Sequence, residues 1–246
     1  MALREEFEAG GQWLFRWRGY LPLIIVTIIL LSLPGYVPLN RDIVLDRVWQ
    51  IGCIVVSFFG LAIRVLTIGH VPRNTSGRNA TAQRADSLNT TGLYSVVRHP
   101  LYLGNFFIYL GVVAFTHSPA VIVVSLLLYI LQYERIMFAE EAFLREKFGA
   151  DFEQWAASTP AIVPAFSRWR ATELPFSLRN VFRREYNNFF GIVVTMFLIK
   201  SVSDYYLHGK LAPGPVWSGF VIASFVIWIT LRTLKRNTES LRVEGR

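Results

Sequence analysis

Two groups of ionisable side chains lie about forty residues apart, each beside a hydrophobic segment. Arg98, His99 and Pro100 precede one apolar run, and Glu140 and Glu141 follow the next one. Guanidinium, imidazole and carboxylate groups in one place can bind a charged small molecule or move a proton. Because Pro100 suits the first turn of a helix and keeps the residue before it out of the helix, Arg98 and His99 are expected at the helix mouth. The free N–H groups there suit a carboxylate or phosphate.

The segments that must position these groups are those of a membrane protein. The chain of 246 residues is 53% hydrophobic and 17% charged, with a mean hydropathy of +0.38, which is too apolar for an ordinary soluble domain. Most of its apolar runs approach the roughly 20 residues that span a bilayer; they cover 21–39, 48–69, 101–115, 119–138, 189–206 and 215–234. We predict an all-α, polytopic bundle of about six transmembrane helices without a Rossmann domain. The short third run is expected to begin before Pro100 or to be tilted.

Antiparallel packing of consecutive helices would bring both ionisable groups to one membrane surface. Of the 25 Lys and Arg residues, nineteen fall in segments predicted on that side and three in segments predicted on the other. This positive-inside pattern predicts that both termini and the site are cytosolic. It also accounts for the net charge of +8, so we predict no nucleic-acid partner. No disulfide framework is possible because Cys53 is the only cysteine, and no metal site is predicted.

The apolar runs contain further candidate residues. Arg64 lies six residues from the end of its run, where it either reaches the interface or points inward to pair with an acidic ligand or with Glu134. Tyr102 can offer a hydroxyl to the same pocket. Gly104 and Gly111 share a helix face, which permits close approach of another helix or a flat ligand.

The second ionisable group and the loop before the first one complete the candidate site. Adjacent glutamates cannot point the same way on a helix, so one is expected to face solvent while the other meets a cationic ligand. Glu141 lies four residues before Arg145, a spacing that allows a surface ion pair. The polar segment 69–92 is long for a connection and is expected to fold over the site.

The ordered motif resembles a known family. The sequence reads GLY at 92–94 and RHPLYLG at 98–104, followed by Glu140-Glu141, FG at 148–149 and prolines at 160 and 164. This set, over about residues 88–164, resembles the isoprenylcysteine carboxyl methyltransferase and phospholipid methyltransferase families, which are polytopic membrane enzymes that use S-adenosylmethionine (SAM). The resemblance implies a SAM pocket formed by Arg98, His99, Pro100, Tyr102, Gly104, Glu140 and Glu141. The candidate catalytic residues that follow from it are His99, Arg98, Arg64 and Arg135. Of these, Arg135 is expected beside the pocket. Leu93, Phe152 and Trp155 depart from residues frequent in the family.

The resemblance implies an integral-membrane methyltransferase that transfers a methyl group from SAM to a lipid or lipidated acceptor within the bilayer. The acceptor group would be a carboxylate, a phosphate or an amine, and the many arginines near the site favour an anion. We divide the chain into N-terminal transmembrane helices with a cytosolic loop (1–87), a SAM-binding core (88–164) and a two-helix extension outside the shared core (165–246). Two other functions remain open, a sterol-reductase type of membrane reductase that uses NADPH and a non-enzymatic membrane scaffold.

Overall fold

The computed structural model describes residues 3–38, 42–72, 75, 85–211 and 213–246. These residues form nine α-helices and no strand; a single isolated bridge joins Gly92 and Arg170. The helices are α1 (Leu3–Trp17), α2 (Leu21–Ser32), α3 (Ile43–His70), α4 (Leu93–Val96), α5 (Pro100–Ala114), α6 (Pro119–Phe148), α7 (Ala150–Ser158), α8 (Leu178–His208) and α9 (Gly214–Asn237). The prediction of an all-α protein without a Rossmann-like sheet is confirmed.

Each of the six predicted apolar runs contains a helix, but two of these helices are short. In the described part of the chain, α3, α6, α8 and α9 are each long and apolar enough to cross a membrane. The first run forms only the 12-residue α2, which is bent by 73° from α1. The third forms α5, with 15 residues. The protein is an integral membrane protein whose bundle combines long helices with shorter ones.

The expectation that the third helix begins before Pro100 is wrong. Helix α5 starts at Pro100, and His99 before it has φ −120° and ψ 60°, outside the helical region. The cause is local, because proline disfavours a helical conformation in the residue before it. As a result, His99 lies at the mouth of α5 as predicted.

Helices α3 and α5 run antiparallel and make the most extensive helix–helix contact among the described residues. Gly60 lies directly against the backbone of Gly104, and Gly111 lies against Cys53 and Ser57. The Ser57 hydroxyl donates to the Ile108 carbonyl at 3.0 Å, across the same interface. Small residues allow this approach, so the glycine face of α5 is occupied by α3 and not by a ligand.

A buried polar cluster joins the helices at the opposite end from the Arg98–His99 pair. Asp46 accepts hydrogen bonds from the Tyr36 hydroxyl at 3.1 Å and from the Gln50 amide at 2.7 Å. His117 Nδ1 lies 3.3 Å from the same carboxylate. Burial, with the nearby Asp46 carboxylate, raises the pKa of Tyr36 above its usual range, so Tyr36 remains a neutral donor. The cluster ties the turn after α2, the start of α3 and the turn after α5.

Helix α1 lies across the part of α6 that carries the second ionisable group. The Phe7 ring meets Phe138 edge to face at 6.1 Å between centroids, and Gly11 lies against the backbone of Arg135. Helix α8 packs against α3, where Asn180 Nδ2 donates to the Ile68 carbonyl at 2.8 Å, and against α9. The ends of α3, α6 and α9 and the starts of α5 and α8 therefore share one end of the bundle.

Replacing Gly111 by alanine should destabilise the protein. The added methyl group would collide with the Cys53 carbonyl and the Ser57 hydroxyl, and forcing extra volume into a packed interface costs about 1–3 kcal/mol. Thermal unfolding in detergent measures the change. Gly52→Ala on α3 is the matched control, since nothing lies within 4 Å of its added methyl group. Equal melting temperatures for the two variants would contradict the close contact of α3 and α5.

Candidate active site

The two ionisable groups predicted to meet do meet, and Glu141 is the centre of their contact. Its carboxylate accepts from Arg98 Nε at 2.8 Å and from Arg98 Nη2 at 3.3 Å. The same carboxylate lies 2.8 Å from Nε2 of His99. A planar guanidinium that contacts both carboxylate oxygens is a strong and directional arrangement. Glu141 therefore fixes the orientation of both Arg98 and His99.

The chain after α7 completes the environment of Arg98. Arg98 Nη1 donates to the carbonyls of Ala156 at 2.9 Å and Thr159 at 2.7 Å, and its backbone N–H donates to Pro160 at 2.9 Å. Four of the five side-chain N–H donors of Arg98 are thus used within the protein. The Trp155 indole donates to the Tyr94 carbonyl at 3.0 Å, which holds α7 against α4. Arg98 mainly connects α5, α6 and α7.

Glu140 points to a different place from Glu141, as expected for neighbours on a helix. Its side chain is 29% exposed, and its carboxylate lies 3.8 Å from Nδ1 of His99. The hydroxyl of Tyr102 is within hydrogen-bonding reach of the same carboxylate. The predicted surface ion pair between Glu141 and Arg145 does not form, because Arg145 pairs with Glu153 at 3.0 Å instead. Glu140 is thus the glutamate that faces open space.

The open space is a cavity of about 630 Å³ between α2, α5, α6 and α8. Its upper end contains the charged and aromatic residues Arg16, Arg18, Tyr94, Arg98, His99, Tyr102 and Glu140. Its middle is lined by Arg64, Asn105, Gln132, Tyr133, Asn187 and Asn188, and its deeper, mostly apolar part by Ile25, Ile29, Ile108, Val112, Ile192 and Thr195. The wall therefore changes along one cavity from charged residues to amides and hydroxyls around Arg64, and then to mostly hydrocarbon.

Stacked aromatic rings form one wall of the upper cavity. His99 and Tyr102 are stacked with centroids 5.5 Å apart, and Tyr129 and Tyr133 are stacked at 4.2 Å. Tyr102 also contacts Tyr133 at 5.0 Å. The prediction that Tyr102 offers a hydroxyl to the pocket fits this position.

The loop before α4 lies over the Arg98–His99 end of the cavity. Thr75, Ala85, Ser87, Leu88 and Asn89 line a smaller pocket of about 50 Å³ together with Arg98, His99 and Glu140. The described part of segment 69–92 thus folds over the site, as predicted. Residues 73–74 and 76–84 of that segment lie outside the described residues.

Arg64 points into the bundle, so the inward alternative is the observed one. Its Nε and Nη2 each donate to the Glu185 carboxylate at 2.8 Å, and its Nη1 donates to Asn105 Oδ1 at 2.7 Å. The proposed pairing with Glu134 is wrong, since Glu185 takes that position. The sequence analysis did not identify Glu185. Its position four residues before the apolar run 189–206 was a possible signal.

Three of the predicted site residues lie outside the cavity lining and do not contact the open space. Arg135 lies on the outer side of α6 with its guanidinium 5.0 Å from the Phe7 ring centroid, because α1 covers that face. Gly104 lies against Gly60 and the Arg64 side chain. Pro100 serves as the first residue of α5. Among the predicted residues, Arg64, Arg98, His99, Tyr102 and Glu140 line the cavity, and Glu141 holds two of them.

Two of the arginines that favoured an anionic acceptor in the sequence already have acidic partners. Arg98 is paired with Glu141, and Arg64 is paired with Glu185. Neither arginine brings an uncompensated positive charge to the cavity. Among the described residues, no group of three or more His, Cys, Asp or Glu side chains could hold a metal ion.

Comparison with known proteins agrees with the motif. Residues 49–151 match the family model described as phospholipid methyltransferase, which confirms the family resemblance over that segment. No solved structure matches the chain significantly.

Two curated relatives are named for metal resistance. The cobalt-zinc-cadmium resistance protein CzcN of Cupriavidus metallidurans is 32% identical over 125 residues, which cover 51% of this chain and 56% of that protein. The nickel-cobalt-cadmium resistance protein NccN of Alcaligenes xylosoxydans xylosoxydans is 32% identical over 128 residues, or 51% and 57% of the two chains. The matched part of the chain thus spans just over half the length of these relatives.

Replacing Glu141 by alanine should destabilise the site and the whole protein. Arg98 and His99 would both lose their carboxylate partner, and a partly buried charge left without its partner costs about 1–3 kcal/mol. Thermal unfolding and limited proteolysis between α6 and α8 measure the effect. Glu153→Ala is the control, because its pair with Arg145 is exposed and such pairs contribute about 0–1 kcal/mol. Equal losses in both variants would contradict the central role of Glu141.

Proposed function

Because the segment 49–151 belongs to the phospholipid methyltransferase family, we propose that the protein is an integral-membrane methyltransferase that uses SAM. The acceptor is a lipid or lipidated molecule within the bilayer. The observation that carries this proposal is the single cavity that joins the Glu140–His99 pair to a hydrocarbon wall. Such a cavity can receive a polar cofactor at one end and an apolar tail at the other.

The residues at the upper end fit the charges of SAM. The molecule carries an ammonium and a sulfonium, for which the Glu140 carboxylate is a suitable partner, and a carboxylate, which the start of α5 and His99 can bind. A volume of about 630 Å³ lies within the range of small-molecule sites. It accommodates a cofactor together with part of an acceptor.

The bound cofactor would supply an electrophilic methyl group, whose bond to sulfur breaks with its electron pair remaining on sulfur as the acceptor lone pair forms the new bond. The protein then has to position the acceptor and exclude water. His99 is held by Glu141 through Nε2, so its Nδ1 side remains directed toward Glu140. An acceptor that must lose a proton can pass it to this pair.

Helix α1, the covering loop and helix α6 enclose the upper end of the cavity. Phe15 of α1, Leu88 and Asn89 of the covering loop and Leu144 of α6 all border the smaller pocket beside His99. Their position separates the site from the predicted cytosolic solution, while α2 separates the cavity from lipid. We propose that the acceptor reaches the cavity from the bilayer past α2 and that the site faces the cytosol. The basic residues on that side of the chain support this orientation.

Titration of SAM into the purified protein tests the function directly. We expect saturable binding by the wild type and roughly 10- to 100-fold weaker binding by Glu140→Gln, since a hydrogen bond to a charged group contributes about 1.5–3 kcal/mol. Glu134→Gln is the matched control, because Glu134 is exposed on the same helix and does not line the cavity. Its affinity for SAM should equal that of the wild type.

The same titration discriminates the other functions. Absence of SAM binding in a well-folded wild type would refute the methyltransferase. Tight NADPH binding by that protein would support the reductase instead. Binding of neither cofactor would support the scaffold.

A further inference from the structure

The middle of the cavity forms a separate level below the His99 cluster. Asn105 lies six residues beyond His99 on α5, which places it about 9 Å deeper along the helix axis. There its Oδ1 accepts from Arg64 Nη1 at 2.7 Å and its Nδ2 donates to the Tyr133 hydroxyl at 3.1 Å. On the α8 side, Asn188 Nδ2 donates to Glu185 at 2.7 Å. We call this level, from Arg64 to Asn188, the middle chamber.

Among the described residues, Arg64 and Glu185 are the only charged pair at the middle chamber, and their charges cancel. Arg64 is 9% exposed and Glu185 is 3% exposed. Arg64 uses four of its five N–H donors, two on Glu185, one on Asn105 and one directed at the Leu101 carbonyl at 3.4 Å. Its positive charge is therefore compensated before any ligand enters.

The other polar groups at this level carry no charge. They are the amides of Asn105, Gln132, Asn187 and Asn188 and the hydroxyl of Tyr133. Beyond them the wall is mostly isoleucine and valine, with the uncharged side chains of Tyr109 and Thr195. An uncharged head can exchange hydrogen bonds with these amides and hydroxyls, whereas an ion would be buried without a counter-charge. Burial of an unpaired charge is strongly unfavourable.

We propose that the middle chamber selects an acceptor with an uncharged, hydrogen-bonding head on a hydrocarbon tail. Glu185 is a positioning residue in this scheme, because it holds Arg64 and cancels its charge. The specificity would then depend on α8, which lies outside the matched segment 49–151. This inference rests on the proposed methyltransferase function. Methylation of such an O–H, N–H or S–H head uses the head's lone pair for the new bond and releases its proton to the solution.

Three probes with the same tail test the selectivity. They are 1-hexadecanol, hexadecyl sulfate and hexadecyltrimethylammonium, each titrated in labelled form into the full-length protein in phosphatidylcholine nanodiscs. For the wild type we expect hexadecanol to bind at least tenfold more tightly than either ion. Equal or tighter binding of hexadecyl sulfate would overturn the proposal.

The variant Glu185→Gln tests the role assigned to Glu185. It keeps the shape of the side chain but leaves the charge of Arg64 uncompensated. Its affinity for hexadecyl sulfate relative to hexadecanol should rise at least tenfold, without a gain for the cationic probe. Glu173→Gln, in the exposed loop before α8, is the control and should keep the wild-type preference. Equal changes for all three probes would show a merely structural role and overturn the assignment.

A second variant covers the case in which Glu185→Gln does not fold. Asn188→Asp adds a negative charge beside Glu185 and should weaken hexadecyl sulfate further while strengthening the cationic probe. Unchanged preference in a folded Asn188→Asp protein would also overturn the proposal. SAM titration of the same samples separates the two proposals. Loss of SAM binding by the wild type refutes the methyltransferase, and the probe preferences test the chamber independently.

Discussion

Compensation of charge inside the membrane is the constraint on which the site depends. An ionised group in a hydrocarbon environment requires a partner, and two of the four arginines that border the cavity are paired with glutamates. Arg98 is paired with Glu141 close to the surface, and Arg64 is paired with Glu185 deeper in the bundle. The first pair joins the consecutive helices α5 and α6 and the second joins α3 to α8, so the same contacts hold the helices and define the cavity. Glu140 is left to face the cavity at its upper end.

The packing of α3 against α5 determines where these pairs can form. Gly60, Gly104 and Gly111 bring the two backbones into contact, and Arg64 is directed past Gly104 toward α8. A larger residue at any of these positions would separate the helices and lengthen the distance between Arg64 and Asn105. The glycines of the motif thus contribute to the site by positioning a helix and not by touching a ligand. This role explains why Gly104 lies outside the cavity although it belongs to the recognised motif.

Many features of the site were predictable because they depend on local chemistry. Pro100 places His99 outside the helix through its own covalent geometry, and adjacent glutamates diverge through helix geometry. The inward position of Arg64 remained one of two alternatives, and its partner Glu185 lies 121 residues away in sequence. The place of Arg135 was also mistaken, since nothing near it in sequence shows that α1 covers that face of α6. Contacts between distant elements depend on how the helices pack, which residue spacing along the chain does not encode.

The sequence by itself determined that this is an all-helical membrane protein, because hydrophobic length alone decides which segments can enter a bilayer. It also determined that the Arg98–His99 and Glu140–Glu141 groups lie at one end of the bundle, since consecutive spanning helices alternate in direction. Only the tertiary structure decided which glutamate is held and which one faces the cavity. It likewise decided that the extension after residue 164 contributes Asn188 to the cavity wall and Glu185 as the buried partner of Arg64. The physical reason is that ion pairs form between side chains close in space, and in a helical bundle such neighbours come from separate helices.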